Sequence, residues 1–502
     1  MSRSSGVALA AIALSFAPAP AYPDGDGSGD GFPPRSFEPP ESLRPSDLAP
    51  RSHELRAALE ELGIVASAWA LYGAKNFHAE PFPPPGPDSF LKKITGQAIS
   101  FDANSISTNF VGHPLAGTGY YLAARSNRLP AWTSGLYAVG ASTAWELVEY
   151  RENVSVNDML VTPLAGIAIG ETLSQFGDLS ERAGFPALSW VVNFPRRFHD
   201  WIDGVPTQPA PGPARHEMRL ATSAGSLSAP GSERALAVAR FAVGGSLLRA
   251  RGYGEAGRDR TALGDGGGAS FLVEGTTSRA GAVDGRFAVR ALLAALYARD
   301  LAGDAGGLSG HDLLVSLTAG YRADMHLYRG APDRIDRLML VEAPGLGLSW
   351  RPHLGGLRLE VRLDLAPAFG GVTPAALPAW LVSNPADALS AVTRLHGYAF
   401  AWGGAAAPAL ELRWRGLGLG GSARLDALRS LKAPDPDPAA SPSSVTAVDL
   451  RLETRAWLSL DLPLRGLTLS AAWERRWREG RIDAATRRDG DEAVLGGLSW
   501  GF

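Results

Sequence analysis

The C-terminal part of the chain contains long stretches in which apolar and charged residues alternate. From Leu357 to Leu365 every odd position is Leu or Val, and the even positions are Arg, Glu, Arg and Asp. The stretch Val448–Leu460 repeats the pattern with exceptions at Thr454 and Trp457. Because successive side chains of a β-strand point to opposite faces, each stretch predicts a strand with one apolar face and one charged face.

These predicted strands are long enough to cross a membrane. Leu313–Leu327 and Leu467–Glu474 also alternate. Most of the stretches reach the length of about 9 to 11 residues that a tilted membrane strand needs, whereas strands of soluble proteins average about 5 to 6. A half-buried strand of a soluble sandwich is the alternative, but soluble strands seldom alternate over such a length. The pattern therefore favours an antiparallel, up-and-down transmembrane β-barrel with lipid outside and a polar lumen inside.

The number of strands follows from the same pattern. It predicts about 12 strands, in a range of roughly 10 to 14, because bacterial single-chain barrels have even strand numbers. The last strand ends at Phe502 and has Trp500, Leu498 and Val494 on one face, and an aromatic end of this kind is typical of outer-membrane barrels. Further strands are predicted near residues 217–224, 235–250, 269–279, 286–300, 335–350, 392–405, 408–415, 417–428 and 492–502.

The charged faces of the strands indicate what lines the lumen. Positive and negative residues alternate along each strand, so neighbouring charges attract and largely cancel. An ion-selective filter would instead focus charges of one sign at a constriction. The pattern predicts a lumen that is cross-braced by salt bridges or that receives another protein element. The predicted lumen charges are Arg358, Glu360, Arg362, Asp364, Arg413, Arg451, Glu453 and Arg455.

The N-terminus has the features of a secretory signal peptide. Arg3 precedes the apolar stretch Gly6–Phe16, and Ala19-Pro20-Ala21 offers a small-x-small cleavage site. We therefore predict a signal peptide at residues 1–21 and export to the outer membrane of a Gram-negative bacterium. The chain has no cysteine, which excludes disulfides, thiol catalysis and thiolate metal sites.

The rest of the chain divides by composition and periodicity. Residues 22–50 are rich in Pro and Gly and are predicted to be disordered. Residues 51–204 form a predicted helical domain, which lies either in the lumen as a plug or in the periplasm. Residues 205–216 form a predicted linker and residues 217–502 the barrel, so the fold class is mainly β with an α-helical N-terminal domain. The apolar stretches of the helical domain are shorter than the roughly 20 residues of a membrane-spanning helix. The predicted helices are His53–Tyr72, Leu115–Asn127, Trp132–Tyr150 and Ser155–Phe176.

The helical domain carries a series of short motifs. In chain order they are His113-Pro114 with Gly117, Ala124 to Asn127, Trp145-Glu146 with Glu149 and Tyr150, Ser155 to Asp158, and Gly166 to Glu171. Their order resembles an uncharacterised bacterial domain-of-unknown-function family with the pattern H-P-x-x-G, A-R-S-N, W-E-x-x-E-Y, S-x-N-D and G-x-x-x-G-E. The resemblance implies no activity. The residues that it marks as family-motif residues are His113, Arg125, Asn127, Trp145, Glu146, Glu149, Asn157, Asp158 and Glu171.

Two functional hypotheses remain open. In the first, the helical domain plugs or caps the lumen, Glu146, Glu149 and Glu171 pair with barrel arginines, and the protein has a structural or transport role in the outer membrane. In the second, the protein is a membrane-embedded enzyme that acts on a lipid or envelope substrate through His113, Glu146, Glu149 and Asp158. The first hypothesis is preferred, so a plug domain is predicted and enzymatic activity is not.

The sequence offers little support for catalysis or for a cofactor. Neither G-x-S-x-G nor H-E-x-x-H occurs in the helical domain, and the chain has no Walker A loop. His113 is far in sequence from His78 and His199, so no metal site is predicted. Ser155 fits a helix N-cap, which gives Asp158 a structural role as an alternative to a catalytic one.

The charge of the chain bears on its partners. The formal net charge is -3, and Lys occurs only at positions 75, 92, 93 and 432. With nearly all positive charge on Arg in a chain rich in Ala and Gly, codon bias explains the Arg-rich stretches, and no nucleic-acid partner is predicted. The expected partners are outer-membrane lipid and, during assembly, the barrel assembly machinery. The oligomeric state stays open.

Overall fold

A computed structural model describes most of the chain beyond residue 51. The described residues are 52–76, 87–149, 153–205, 215–229, 235–279, 281–304, 307–328, 335–384, 389–431, 445–464 and 466–502. The predicted signal peptide, the Pro/Gly-rich segment and most of the predicted linker lie outside these residues.

A helical region precedes the barrel. Its helices are α1 (Glu54–Asn76), α2 (Pro87–Ile94), α3 (His113–Ser126), α4 (Ala131–Val148), α5 (Val156–Arg182), α6 (Pro186–Val192) and α7 (Phe194–Ile202). A π-helical turn, Thr108–Gly112, leads into α3, and the two-residue strands β1 (Ile99–Ser100) and β2 (Val154–Ser155) pair in parallel. The helix α5 continues through Pro163.

The barrel follows from Arg215 onward. Its strands are β3 (Arg215–Ser228), β4 (Leu236–Leu248), β5 (Gly257–Leu263), β6 (Gly268–Ser278), β7 (Gly281–Asp304), β8 (Gly307–Leu327), β9 (Ile335–Gly355), β10 (Leu357–Val372), β11 (Ala399–Trp414), β12 (Leu417–Ser430), β13 (Ala447–Asp461), β14 (Leu467–Ile482) and β15 (Ala485–Gly501). Two short helices, α8 (Leu377–Leu381) and α9 (Ala391–His396), lie between β10 and β11.

The sheet closes on itself. Consecutive strands pair antiparallel, β15 pairs with β3, and β7 pairs with β8. Both β5 and β6 pair with β7, at residues 295–301 and 281–292 respectively, so they are two collinear segments of one interrupted strand. The described residues therefore form a closed antiparallel barrel of twelve strands, which confirms the predicted fold class and strand number.

Two details of the strand prediction are wrong. The segments 392–405 and 408–415 are not separate strands, since residues 391–396 form α9 and a single strand, β11, runs from Ala399 to Trp414. The small side chains from Ala405 to Ala407 mask the alternation there. The segment β5 was not predicted because its seven residues alternate only weakly.

The two faces of the strands match the predicted alternation. Arg322 on β8 contacts Asp426 on β12, and these strands are not neighbours, so both side chains face the lumen. On β10, Asp364 contacts Arg290 of β7 across the lumen. The adjacent Leu365 therefore points outward, where it is 44% exposed. An apolar exterior around a closed sheet with a polar lumen is the architecture of a bacterial outer-membrane barrel.

The helical region packs against the outside of the barrel. Tyr321 neighbours the lumen-facing Arg322 and therefore points outward, and its hydroxyl donates a hydrogen bond to the main-chain oxygen of Phe110. Toward the other end of α5, Phe176 contacts Phe271 of β6 edge to face. The apolar core shared by helices and strands joins such outward-facing strand residues to residues of the helices. Its buried members are Ile106, Phe110, Val161, Ala165, Ala168, Ile169, Val289, Ala319, Tyr321, Met339, Val341, Val392, Tyr398 and Phe400.

This packing corrects the prediction of a helical plug. In the described residues, the helices of the helical domain contact the outer faces of β6 to β10, and side chains of the barrel itself fill one half of the lumen. The physical reason is that the barrel arginines already pair with barrel carboxylates. No described helix is long and apolar enough to cross a membrane.

Candidate functional site

The structure brings a histidine and two carboxylates together at one end of the helical domain. His113 begins α3, Asp158 lies in the first turn of α5, and Asp102 lies in the segment that follows β1. His113 Nε2 is 3.5 Å from Asp158 Oδ2. One potential ligand atom from each of the three residues lies within 4.8 Å of the others. We call Asp102, His113 and Asp158 the outer cluster.

A variant of the capping box orients Asp158. Ser155 is the N-cap of α5, and its Oγ accepts the main-chain N–H of Asp158 at 3.3 Å. In a standard capping box the carboxylate three residues after the cap accepts the N–H of the cap residue. Here Glu146 of α4 takes that N–H at 2.6 Å. The Asp158 carboxylate is therefore available to face His113.

Amide side chains and one barrel tyrosine hold the outer cluster in place. Asn157 Nδ2 donates to Asp102 Oδ1 at 3.2 Å and to Asp158 Oδ1 at 2.8 Å. Asn109 is fully buried, and its Nδ2 donates to Asp102 Oδ1 at 2.6 Å and to the hydroxyl of Tyr398 at 2.9 Å. Because Tyr398 directly precedes β11, the cluster is fixed to the barrel as well as to the helices.

Burial favours the neutral forms of His113 and Asp158 in the outer cluster. Burial lowers the pKa of His113, and the charge of Asp102 only partly opposes this. Burial raises the pKa of Asp158 well above its ordinary value, and the nearby charges of Asp102 and Glu146 raise it further. A cation that neutralised the carboxylates, or a proton shared between His113 and Asp158, would relieve this mutual repulsion. The arrangement can therefore bind a cation or exchange a proton.

A second polar group lies further along α3 and α5. Glu171 is fully buried; its Oε2 accepts from the Tyr121 hydroxyl at 2.6 Å and from Arg125 Nε at 3.0 Å, and its Oε1 accepts from Gln175 Nε2 at 2.5 Å. Arg125 Nη2 also lies 3.3 Å from a carboxylate oxygen of Asp265. Since Asp265 lies between β5 and β6, the interruption of that barrel strand is a docking contact for the helical domain.

The motif glycines allow α3 and α5 to touch. A Cβ at Gly117 would lie 1.8 Å from the main-chain oxygen of Thr162, and one at Gly166 would lie 2.4 Å from the main chain of Gly117. Small residues at a helix crossing let backbones approach closely. This close approach brings His113 and Asp158, near the N-termini of the two helices, to each other.

The remaining motif residues support the helical domain. Asn127 Nδ2 donates to Glu60 Oε2 at 2.7 Å, and Trp145 contacts Tyr72 edge to face. Lys93 Nζ donates to the main-chain oxygens of Glu146 and Glu149, at 2.7 Å each, and so caps the end of α4.

The predicted group of His113, Glu146, Glu149 and Asp158 is only partly assembled. His113 and Asp158 meet, whereas Glu146 acts through Ser155. The absence of a metal site stays a prediction, but the sequence argument for it did not include Asp102, which folding brings to His113 and Asp158. Glu171 pairs with Arg125 of its own domain, not with an arginine of the barrel lumen.

Ion pairs cross the lumen and join opposite walls. Arg286 of β7 contacts Glu453 of β13 at 2.7 Å, and these strands lie on opposite sides of the twelve-strand ring. The other ties between strands that are not neighbours include Arg322 to Asp426 at 2.6 Å, Arg451 to Asp336 at 2.7 Å, Arg476 to Asp284 at 2.7 Å and His326 to Asp491 at 2.9 Å. The lumen is therefore closed at the level of these pairs.

An open cavity occupies the other half of the lumen. Its volume is about 810 Å³, and it lies toward the short turns that join β9 to β10 and β11 to β12. Short turns mark the periplasmic end of such barrels. Of the predicted lumen charges, Arg451 and Glu453 belong to the cross-lumen ties, and Arg455 lies 3.3 Å from Glu474. The others line the cavity: Arg358, Glu360, Arg362, Asp364 and Arg413.

Sequence reasoning missed several residues of these groups. Asp102 and Asn109 lie in a segment without periodicity, and Tyr398 lies almost 300 positions away in the barrel, so no local pattern links them to His113. Asp265 lies in a short Gly-rich stretch that carries no motif of its own. The glycines on both sides of it, Gly264, Gly266 and Gly267, signal that a close contact takes place there.

The comparison with known proteins supports the motif resemblance. Residues 98–189 match the model of a family described as a domain of unknown function, DUF3943. This match confirms the predicted resemblance and spans all three residues of the outer cluster together with Tyr121, Arg125 and Glu171. None of the curated proteins compared with the chain matches it.

Solved barrels from outer membranes also align with the chain. OmpT of Vibrio cholerae is 8% identical, with 58% of this chain and 97% of that chain covered and a TM-score of 0.22. The β domain of the Bordetella autotransporter Brka is 13% identical, with 57% and 98% covered and a TM-score of 0.22. A Pseudomonas aeruginosa FadL homologue is 10% identical, with 57% and 90% covered and a TM-score of 0.23. Because these TM-scores are low, the outer-membrane assignment rests on the closed sheet and its two faces.

Proposed function

We propose that this outer-membrane barrel does not work as an open pore and serves as a scaffold that holds the helical domain at its outer wall. The observation that carries the proposal is the set of cross-lumen ion pairs. Arg286 and Glu453 join opposite walls, and Arg322 and Asp426 are almost fully buried as a second tie. Closing a lumen in this way removes the water-filled path that a diffusion channel needs.

The docking surface between helices and barrel supports the scaffold role. The outer faces of barrel strands β6 to β10 pack against the helical domain. Asp265, between β5 and β6, forms an ion pair with Arg125 of that domain. Tyr398 at the beginning of β11 supports the outer cluster through Asn109. A barrel that only anchored a tethered domain would need none of these contacts.

Conductance in planar lipid bilayers tests this proposal. The wild-type protein should insert without steady open-channel currents. Removing two ties, with Ser at Arg286, Glu453, Arg322 and Asp426, should produce such currents. Asp324→Asn accompanies these changes, because the Asp324 carboxylate contacts both of the removed arginines. The control replaces Arg258 and Asp300 by Ser, an exposed pair of β5 and β7 outside the cross-lumen set, and should remain silent. Steady currents from the wild-type protein would contradict the scaffold proposal and would favour transport through the periplasmic cavity.

A second candidate function is catalysis on a lipid or envelope substrate. The observation that favours it is the convergence of Asp102, His113 and Asp158, since a histidine beside a carboxylate can act as a general base. The test incubates reconstituted protein with outer-membrane phospholipid and lipopolysaccharide and measures released fatty acid. Release by the wild type that is lost in His113→Gln, with unchanged gel mobility of the folded barrel, would support this candidate. No release from either lipid would count against it.

A further inference from the structure

Over much of the helical domain, charged side chains are buried and apolar side chains are exposed. In α1, Leu59, Leu62 and Leu71 are 60%, 64% and 73% exposed, whereas Glu61 is 6% exposed. Arg56 points toward the protein, where it contacts Asp203. A helix on the surface of a water-soluble domain shows the opposite arrangement, with its polar face in solvent.

The helix α4 also exposes apolar side chains and buries polar ones. Its exposed residues include Trp132 at 69% and Leu136 at 59%, whereas Ser134 and Glu146 are buried. Among the described residues between 105 and 202, every charged side chain is buried or half-buried. A continuous apolar exterior of this extent is far larger than the scattered apolar residues of ordinary soluble surfaces.

The position of the domain on the barrel suggests what covers this surface. The domain covers β6 to β10, and the outward-facing residues on either side of it, Phe241 of β4 and Trp402 of β11, are 50% and 59% exposed. These flanking strands belong to the wall of the barrel that faces lipid. The apolar surface of the helices is therefore continuous with the lipid-facing surface of the barrel.

The height of the domain agrees with that of a bilayer. The 27 residues of α5 correspond to about 40 Å at about 1.5 Å per residue, more than the roughly 25 Å apolar band of outer-membrane barrels. Val161 of α5 shares an apolar core with Phe400 at the outer end of β11. Phe176 packs near Met218 and Leu247 at the periplasmic ends of β3 and β4.

The helix α7 has the character of an interfacial helix at the periplasmic side. Phe194, Phe198 and Trp201 project from it with exposures of 55%, 38% and 69%, and their rings are in mutual contact. On the opposite face, Arg197 and His199 are buried. Aromatic residues on one face of an amphipathic helix are enriched at the boundary between lipid and water.

We propose that the outer surface of the helical domain contacts lipid acyl chains, so that the domain is embedded in the same bilayer as the barrel. This inference does not depend on the proposed scaffold function. The individual helices are not apolar enough to cross a membrane, because their polar residues are turned toward one another and toward the barrel. The barrel supplies the surface against which those polar faces are buried, and lipid covers the other faces.

Site-specific fluorescence quenching tests this proposal. The chain has no cysteine, so a single cysteine can be introduced without altering any other position. Leu59→Cys and Leu136→Cys report on the helical domain. Leu419→Cys on the outer face of β12 serves as the lipid reference. Glu217→Cys serves as the water reference, because the Glu217 side chain lines the open lumen cavity and is 61% exposed. Each variant carries a bimane label in phosphatidylcholine vesicles with or without nitroxide-labelled phosphatidylcholine.

The expected result is that the nitroxide lipid quenches labels at Leu59 and Leu136 as strongly as the label at Leu419. Iodide in the buffer should quench both several-fold less than the label at Glu217. Retention of the compact, unheated gel band establishes that each labelled variant is folded. Iodide quenching at the level of the water reference would overturn the proposal, because the surface would then face water. Protection from both quenchers would also overturn it, because a second copy of the chain would then cover the surface.

Discussion

Removing the Asp336 carboxylate should strongly destabilise the barrel. Asp336 accepts two hydrogen bonds from Arg451, at 2.7 and 2.9 Å, and lies 2.8 Å from Arg478 Nη1. The exposed fractions of these three side chains are 5%, 9% and 3%. Asp336→Asn leaves two buried guanidinium groups with less negative charge to balance them.

The magnitude follows from burial and from the remaining partner. Breaking a buried ion pair on one side costs about 3 to 5 kcal/mol. Asp449 still contacts Arg451 at 2.6 Å and Arg478 at 2.5 Å, which reduces the loss. We therefore expect a decrease of about 3 kcal/mol in the free energy of unfolding, or about a hundredfold in the equilibrium constant.

A matched variant tests whether any loss of a lumen carboxylate destabilises the barrel to the same extent. Glu360 in the periplasmic cavity lies 3.5 Å from Arg362, whose side chain is 49% exposed. Glu360→Gln should cost less than about 1 kcal/mol, because solvent screens an exposed pair. The assay is urea unfolding in lipid vesicles, followed by the fraction of protein that migrates as the compact form without heating. Equal urea midpoints for the two variants would refute the argument that the cross-lumen pairs hold the barrel together.

Two further predictions concern the helical domain. Gly117→Ala should separate α3 from α5 and destabilise the domain, because the new Cβ would meet the main chain of α5. Gly119→Ala is the control, since its Cβ has open space and the change should be neutral or stabilising. Limited proteolysis compares the two variants, and equal resistance would argue against close contact between the helices. Burial raises the pKa of Asp158 in the folded domain above its value in the unfolded chain. The folded state is therefore favoured by protonated Asp158 in acid, and this stabilisation is lost as the pH rises from the unfolded pKa through the folded pKa. Asp158→Asn should therefore unfold at higher urea than the wild type at neutral pH and lose this advantage in acid, and an advantage that is independent of pH would contradict the shift.

The barrel could be predicted from the sequence because its signal is local. Each membrane strand must present an apolar face and a polar face. The orientations of Leu365 and Asp364 can therefore be predicted from their own strand alone. Which lumen charges would meet could not be predicted. Arg286 and Glu453 are neighbours only because the ring has twelve strands and brings β7 opposite β13.

The helical site could be predicted only in part. The motif spacing identified His113 and Asp158, and the N-cap at Ser155 was predicted and is confirmed. The role of Glu146 could not be predicted. A standard capping box would pair the Ser155 N–H with a carboxylate of the same helix, but here the carboxylate comes from α4. The sequence left open whether the domain lies in the lumen or in the periplasm, and neither alternative anticipates contacts with the outer wall of the barrel. Its carboxylates suggested partners in the lumen, but partners such as Arg125 were available within the domain itself.

The barrel and the helical domain have one feature in common: each places many of its charged side chains in its interior. The barrel turns its charges into the lumen and pairs them there, as Arg286 and Glu453 do. The helical domain turns its charges toward its own interior and toward the barrel, as Arg125 does between Glu171 and Asp265. Both arrangements leave an apolar exterior, which only a lipid environment makes favourable for a large continuous surface. The alternating signs of the lumen charges therefore serve to close the barrel, and its outer wall is the surface on which the helical domain is held.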